Sequence, residues 1–64
     1  MNITERHEFI AREVEAKGQV SVTELSVMLN VSEVTIRKDL TILEQAGVLY
    51  RAHGKAIKIS PYIN

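Results

Sequence analysis

The chain has 64 residues, no cysteine, and eight Lys and Arg side chains that balance eight Asp and Glu side chains. This length allows a single domain, and without cysteine the chain can form neither disulfide bonds nor the usual zinc clusters. No apolar run approaches membrane-spanning length and the amino terminus lacks the form of a signal peptide, so we expect a soluble, cytoplasmic protein.

The amino-terminal segment is predicted to form a helix that ends near Lys17. Asn2 or Thr4 can cap its first turn. Gly18 can adopt the left-handed conformation that commonly ends a helix. Three apolar residues have the spacing of one buried stripe on this helix, namely Phe9, Ile10 and Val14.

A short extended segment, residues 19–21, leads to a second predicted helix. Ser21 and Glu24 have the spacing of a capping box, so this helix should begin at Val22. It should end near Asn30, because asparagine tolerates the left-handed conformation. Its inward face is expected to consist of Leu25, Met28 and Leu29.

The third predicted helix follows after a brief turn in which Val31 packs into the core. Ser32 can cap it and Gly47 can end it. Its buried residues, at the spacing i, i+4 and i+7, are Ile36, Leu40 and Leu43. Two short capped helices joined by a tight turn are typical of a helix-turn-helix.

A β-hairpin is predicted next, with strands at residues 48–52 and 56–59 and a turn at residues 53–55. The second strand should show inward-outward alternation at Ile57 and Ile59, and Tyr50 should pack in the core between the wing and the helices. The predicted fold is mainly α with a small β part (α+β): a winged helix-turn-helix with a three-helix core and a two- or three-stranded antiparallel β-wing. We expect this domain to occupy residues 1–59 and a linker to begin at residues 60–64.

The exposed face of the third helix is predicted to bind double-stranded DNA in the major groove. At about 100° per residue this face lies opposite the buried stripe. Arg and Lys can donate to guanine, threonine can donate or accept, and a valine methyl group can contact thymine. The helix amino terminus and nearby hydroxyl groups suit a phosphate. The predicted contacts on the helices are Ser21, Thr23, Ser32, Val34, Thr35, Arg37, Lys38 and Thr41.

The charge distribution supports this prediction although the net charge is zero. Residues 1–33 carry three cations against six carboxylates, a balance of −3, whereas residues 34–64 carry five against two, a balance of +3. A polyanion would meet the basic half. In the wing, Arg51, His53, Gly54 and Lys55 are predicted to reach flanking phosphates or the minor groove. An equally good interpretation makes His53 only a turn residue.

Other interpretations remain open at this stage. Exposed cations on a helix are often merely solvated, and Asp39 could hold Arg37 or another cation in position. A winged helix can also bind proteins, in which case Val34 and Ile42 would be contacts. The sequence contains no catalytic set, no metal-ligand pattern and no cofactor motif, so no enzyme is predicted. RNA binding would lack stacking aromatic residues.

Residues 31–40, VSEVTIRKDL, together with the Arg-x-His-Gly sequence at residues 51–54, resemble the amino-terminal domain of the DeoR family of bacterial transcription regulators. The resemblance extends over about residues 5–56. It implies that Arg37 and Lys38 match the paired basic residues of the family's recognition helix. Lys38 replaces the commoner arginine, and Lys55 replaces the second glycine of the family's His-Gly-Gly-Ala wing.

The resemblance also implies a function. Family members are usually repressors of sugar or nucleoside catabolism genes, and a larger carboxy-terminal domain senses a sugar phosphate and oligomerises. We therefore expect an operator-reading domain, either excised or from a truncated product. A sugar-phosphate effector would act only through a carboxy-terminal domain that these 64 residues do not contain.

Overall fold

The computed structural model describes residues 1–59, which form three helices and one antiparallel sheet of three strands. The sheet has the strand order β1-β3-β2. The elements in chain order are α1 (Ile3–Lys17), β1 (Gln19–Ser21), α2 (Val22–Leu29), α3 (Glu33–Gln45), β2 (Leu49–Ala52) and β3 (Lys55–Lys58). This architecture confirms the predicted winged helix-turn-helix. The predicted linker at residues 60–64 lies outside the described residues.

Local sequence signals explain where the helices begin. Asn2 is the cap of α1: its side chain accepts from the Glu5 amide at 2.8 Å, and the Glu5 carboxylate accepts from the Asn2 amide at 2.9 Å. Ser21 and Glu24 form the predicted capping box at the start of α2. Ser32 caps α3 as predicted. Each cap satisfies amide groups that have no partner inside the helix.

The turn between α2 and α3 is short because one residue reverses the chain. Asn30 has φ 55° and ψ 46°, the left-handed conformation predicted for it. Val31 then packs against the core. After α3, Gly47 adopts φ 78° and directs the chain into β2. These backbone conformations join α2, α3 and the hairpin into one compact unit.

The core lies between the three helices and the inner face of the sheet. Every apolar residue predicted to be buried on α3 is buried, as are Ile10, Val14 and Leu25. Phe9 and Leu29 are half-buried. The complete set of buried apolar residues in the described chain is Ile10, Val14, Val20, Val22, Leu25, Ile36, Leu40, Leu43, Leu49 and Ala56.

The inward face of α2 was predicted wrongly at one position. Met28 is exposed, and Val22 is buried instead. On a wheel of about 100° per residue, Val22 and Leu29 lie on the same side of Leu25, whereas Met28 lies about 60° to the other side. The core therefore contacts the side of α2 that Val22 begins, and Met28 is left at the solvent-facing edge.

The prediction that Tyr50 packs in the core was also wrong, because strand register determines which side chains face inward. Tyr50 is directly opposite Ile57 on β3, and Ile57 is directly opposite Gln19 on β1. These side chains share the outer face, since neighbours along a strand point to opposite faces. Leu49 and Ala56 take the inner positions and are buried, while Ile59 is exposed.

Two backbone hydrogen bonds attach the hairpin to the helical part of the domain. The Val22 amide donates to the Gly54 carbonyl at 2.9 Å, and the Lys58 amide donates to the Gly18 carbonyl at 2.8 Å. The tip of the hairpin therefore lies next to the beginning of α2. Over residues 1–59, no helix has the length and apolar character needed to cross a lipid bilayer.

Candidate nucleic-acid interface

The solvent-facing side of α3 carries the side chains that the sequence predicted there. Ile36, Leu40 and Leu43 are buried beneath it. Val34 is 59% exposed, and Arg37 and Lys38 are exposed as well. The Lys38 side chain makes no hydrogen bond or ion pair with any other described residue. This face therefore offers a free ammonium group, a guanidinium group and an apolar side chain to an incoming ligand.

Glu33, at the first turn of α3, holds Arg37 in a defined position. Its Oε1 atom lies 2.9 Å from Arg37 Nη2, an ion pair at the favourable spacing i, i+4. Its Oε2 atom accepts a hydrogen bond of 3.0 Å from the Thr23 hydroxyl group on α2. Sequence reasoning missed this role, although the Glu33–Arg37 spacing was a usable signal. Thr23 and Arg37 are thus connected through one carboxylate.

The hydroxyl groups near the start of α3 are partly occupied. The Ser32 hydroxyl donates to Thr35 Oγ1 at 3.1 Å and accepts from the Thr35 amide at the same distance. The hydroxyl proton of Thr35 is therefore available for donation to a ligand. The Thr41 hydroxyl donates to the Arg37 carbonyl at 2.9 Å, so only its lone pairs remain available. Ser21 is likewise occupied, by the capping box of α2.

Asp39 faces away from this surface and connects α3 to α1. It is 2% exposed, and its carboxylate accepts two hydrogen bonds from Arg6, at 2.5 and 2.9 Å. His7 Nε2 lies 2.9 Å from Asp39 Oδ1, a pairing that requires a proton on Nε2. The alternative in which Asp39 holds a cation other than Arg37 is therefore correct. This pairing sets the position of α3 relative to α1.

The pKa of Asp39 reflects opposing effects. Burial raises the pKa of the carboxyl group, but hydrogen bonds from Arg6 and His7 and the positive charge of Arg6 outweigh burial. The net result is a pKa below the ordinary value of 3.8. The hydrogen bond to Asp39 also raises the pKa of Arg6. The pair therefore stays ionised at neutral pH.

Arg51 connects the wing to the carboxy-terminal half of α3. Its amide donates to Glu44 Oε2 at 3.0 Å, and its Nε atom donates to Glu44 Oε1 at 3.2 Å. Hydrogen bonds from the Arg51 backbone and then from its guanidinium group lower the pKa of Glu44. Arg51 also lies on the inner face of the sheet, opposite Ala56. Its guanidinium group contacts Glu44 through Nε, and its two terminal nitrogen atoms donate to no other described residue.

The turn of the wing has two residues in the left-handed region, His53 with φ 54° and Gly54 with φ 73°. Two central residues with positive φ are the signature of a type I′ hairpin turn. Histidine tolerates this region better than most residues, so His53 has a clear turn role. Lys55 begins β3 and is exposed. It lies outside the two positions that require positive φ, so replacing the family's glycine leaves the turn intact.

Of the predicted contacts on α3, Val34, Arg37 and Lys38 are exposed, whereas Thr35 and Thr41 are half-buried. The predicted wing residues lie on a ribbon whose β2 strand packs on α3. A shallow groove elsewhere lies between α1 and Val48, and it contains none of the predicted contacts. Among residues 1–59 there is no group of three His, Asp or Glu side chains that could hold a metal ion. The described surface therefore has cationic and hydroxyl groups placed for an anionic ligand.

A three-helix core with a basic ribbon beside its third helix defines a winged helix-turn-helix domain. The chain belongs to the DeoR-like helix-turn-helix domain family, whose model matches residues 6–61. The family is defined by a helix-turn-helix domain, and relatives that share it carry the names of transcription regulators and repressors. No solved structure matches the chain at a significant level.

The chain is similar to several bacterial regulators. It is 46% identical over 56 residues to the uncharacterized HTH-type transcriptional regulator FruR of Bacillus subtilis, covering 88% of this chain and 22% of that protein. The identity, length and coverage are the same for the lactose phosphotransferase system repressor of Streptococcus mutans. The putative galactitol utilization operon repressor of Escherichia coli K12 is 48% identical over 59 residues, covering 92% of this chain and 53% of that protein. The chain thus spans from about a fifth to about half of the length of these relatives.

Proposed function

We propose that this domain reads the operator of a bacterial repressor of sugar-utilisation genes. In this proposal α3 lies in the major groove, and the β2–β3 hairpin contacts flanking phosphates or the minor groove. The names of two relatives, the lactose phosphotransferase system repressor of Streptococcus mutans and the putative galactitol utilization operon repressor of Escherichia coli, support the assignment to sugar genes. The protein would act in the bacterial cytoplasm. A sugar-phosphate effector would bind parts of a full-length regulator other than this domain.

The observation that carries the proposal is the exposed face of α3. Arg37 and Lys38 project from a helix that three buried side chains and the Asp39–Arg6 pair attach firmly to the domain. An Arg side chain can donate two hydrogen bonds to guanine, and a valine methyl group can contact thymine. Arg51 and Lys55 extend the cationic surface onto the wing, where phosphates flanking the site would lie.

Titration of duplex DNA by fluorescence anisotropy tests this proposal. The probe is the duplex that the domain selects from a random pool, and an unrelated duplex of equal length is the control. If about three phosphates are neutralised, log K should fall with log salt at a slope of about −3. A single domain should bind weakly, because regulators of this type pair half-sites through dimers. Binding that is insensitive to salt, or equal for both duplexes, would contradict the proposal.

A second candidate function is binding to another protein. Val34 and Ile42 are 59% and 47% exposed, and exposed apolar side chains on one helix can serve as protein contacts. The acidic character of residues 1–33 also allows a basic partner. NMR chemical-shift mapping with the selected duplex separates the two functions. DNA binding should shift the resonances of α3 and the wing and leave the exposed face of α1 unchanged.

A further inference from the structure

We infer that Glu33 is a specificity-determining positioning residue, which presets Arg37 to read one base pair and weakens the attraction of α3 for DNA of any sequence. The inference rests on the proposed function. It assigns a role in recognition to a carboxylate that charge alone would place outside a DNA interface.

The geometry gives Glu33 two simultaneous partners on two helices. Oε1 accepts from Arg37 Nη2 at 2.9 Å, and Oε2 accepts from the Thr23 hydroxyl group at 3.0 Å. The hydrogen bond from Thr23 fixes the Glu33 carboxylate relative to α2. The carboxylate therefore holds Arg37 in position in addition to balancing its charge. The position of the guanidinium group is thereby set by the helix-turn-helix unit as a whole.

The Glu33–Arg37 ion pair is better suited to positioning Arg37 for recognition than to stabilising the fold. The side chains of Glu33 and Arg37 are 40% and 56% exposed, and exposed ion pairs contribute little to folding stability. A free arginine side chain samples many rotamers, and ordering it during binding costs entropy. Holding Arg37 before DNA arrives reduces that cost. A guanidinium group has five N–H donors, so the bond to Glu33 still leaves enough to pair with both acceptors of a guanine edge.

The negative charge of Glu33 also acts on sequences that lack the correct base. Phosphates attract Arg37, and a carboxylate adjacent to it lowers that attraction for every duplex equally. At the correct guanine, two directed hydrogen bonds from Arg37 offset this weaker attraction, whereas other bases do not accept both bonds. Specificity arises from this difference between affinities. Lys38, which has no such partner among the described residues, supplies charge without this directional control.

The test compares Glu33→Gln with the wild-type domain on three kinds of duplex: the selected operator, the operator changed at the base pair that Arg37→Ala identifies, and an unrelated sequence. Glu8→Gln is the matched control, because Glu8 is exposed on α1 and pairs with no other described side chain. Glu33→Asp keeps a carboxylate near Arg37. Thermal unfolding verifies that each variant is folded.

We expect Glu33→Gln to bind the unrelated duplex more tightly than the wild type does. Its discrimination at the Arg37 base pair should fall by about threefold or more, in the range typical of coupled neighbours. Glu33→Asp should restore most of the discrimination, and Glu8→Gln should leave it unchanged. In an Arg37→Ala background, Glu33→Gln should change nothing at that base pair.

Unchanged discrimination by Glu33→Gln would overturn the inference and leave the proposed function standing, since the wild type would still prefer its operator. An effect of Glu33→Gln on discrimination at that base pair that persists in the Arg37→Ala background would also overturn it, because Glu33 would then contact DNA itself. A wild-type domain that shows no preference among the duplexes would overturn both the inference and the proposed function.

Discussion

Asp39 on α3 and Arg6 on α1 form a two-bond ion pair across 33 positions of sequence, with the carboxylate almost completely buried. This pair orients the helix. Lys38, just before Asp39, faces solvent, and Leu40, just after it, faces the core. Because the Asp39 carboxylate is fixed against α1, the side chains that α3 presents outward are determined as well. The pair thereby connects the stability of the domain to the geometry of its candidate interface.

Replacing Asp39 with alanine should destabilise the domain strongly. Removal of one partner leaves Arg6 partly buried without its counter-charge, a change that typically costs about 3–5 kcal/mol. A domain of this size has a free energy of unfolding on the order of 3–10 kcal/mol, so a substantial unfolded fraction is expected at room temperature. Urea denaturation followed by circular dichroism measures the change. Glu8→Ala is the control and should stay within about 0.5 kcal/mol of the wild type.

The stability of the domain should decrease in acid, with Asp39 as an identifiable contributor. Its pKa is lower in the folded than in the unfolded state, so its contribution is complete above the ordinary value of 3.8 and is lost as the pH falls through the lower folded value. Unfolding free energies from about pH 6 down to pH 2 should therefore fall less steeply for Asp39→Asn than for the wild type. Equal slopes for the two proteins would contradict the assignment.

His53 should be replaceable by asparagine but not by valine. Asn-Gly is the favoured pair for a type I′ turn, so His53→Asn should retain or slightly increase stability, with DNA affinity within about twofold of the wild type. Valine is strongly disfavoured at positive φ, so His53→Val should cost about 1–2 kcal/mol. Denaturation and anisotropy measure the two effects. A large loss of DNA affinity in a fully folded His53→Asn domain would show instead that the imidazole contacts DNA.

Arg51 should contribute to DNA binding through a phosphate rather than through a base. Its removal in Arg51→Ala should weaken binding to all duplexes alike and reduce the salt slope by about one. Stability should change little, because the pair with Glu44 is exposed. Lys17→Ala is the control: it removes one cation from α1, where Lys17 forms an ion pair with Glu13, and should leave the salt slope unaltered.

Local signals were sufficient to predict most of the fold. The capping boxes at Asn2 and Ser21 and the left-handed Asn30 involve residues within a few positions of each other, so a sequence reader can recognise them. Burial on α3 followed from its strict spacing. The same local rules located the exposed cations of the candidate interface.

Contacts between distant segments were beyond such rules. The partner of Asp39 is 33 residues away, and the outward orientation of Tyr50 depends on its pairing with Ile57. The sheet gains β1 because residues 19–21 pair with β3, a pairing that the sequence pattern of a hairpin does not indicate. The Glu33–Thr23 bond likewise depends on how α2 and α3 pack together.

The most direct measurement of the central claim is the affinity of Arg37→Ala for the selected operator, compared with Lys17→Ala, which removes an equal charge from α1. We predict that Arg37→Ala loses about 1–3 kcal/mol of binding free energy and all preference at one base pair, while Lys17→Ala keeps both. Equal operator affinity and unchanged base preference in a folded Arg37→Ala domain would contradict the account.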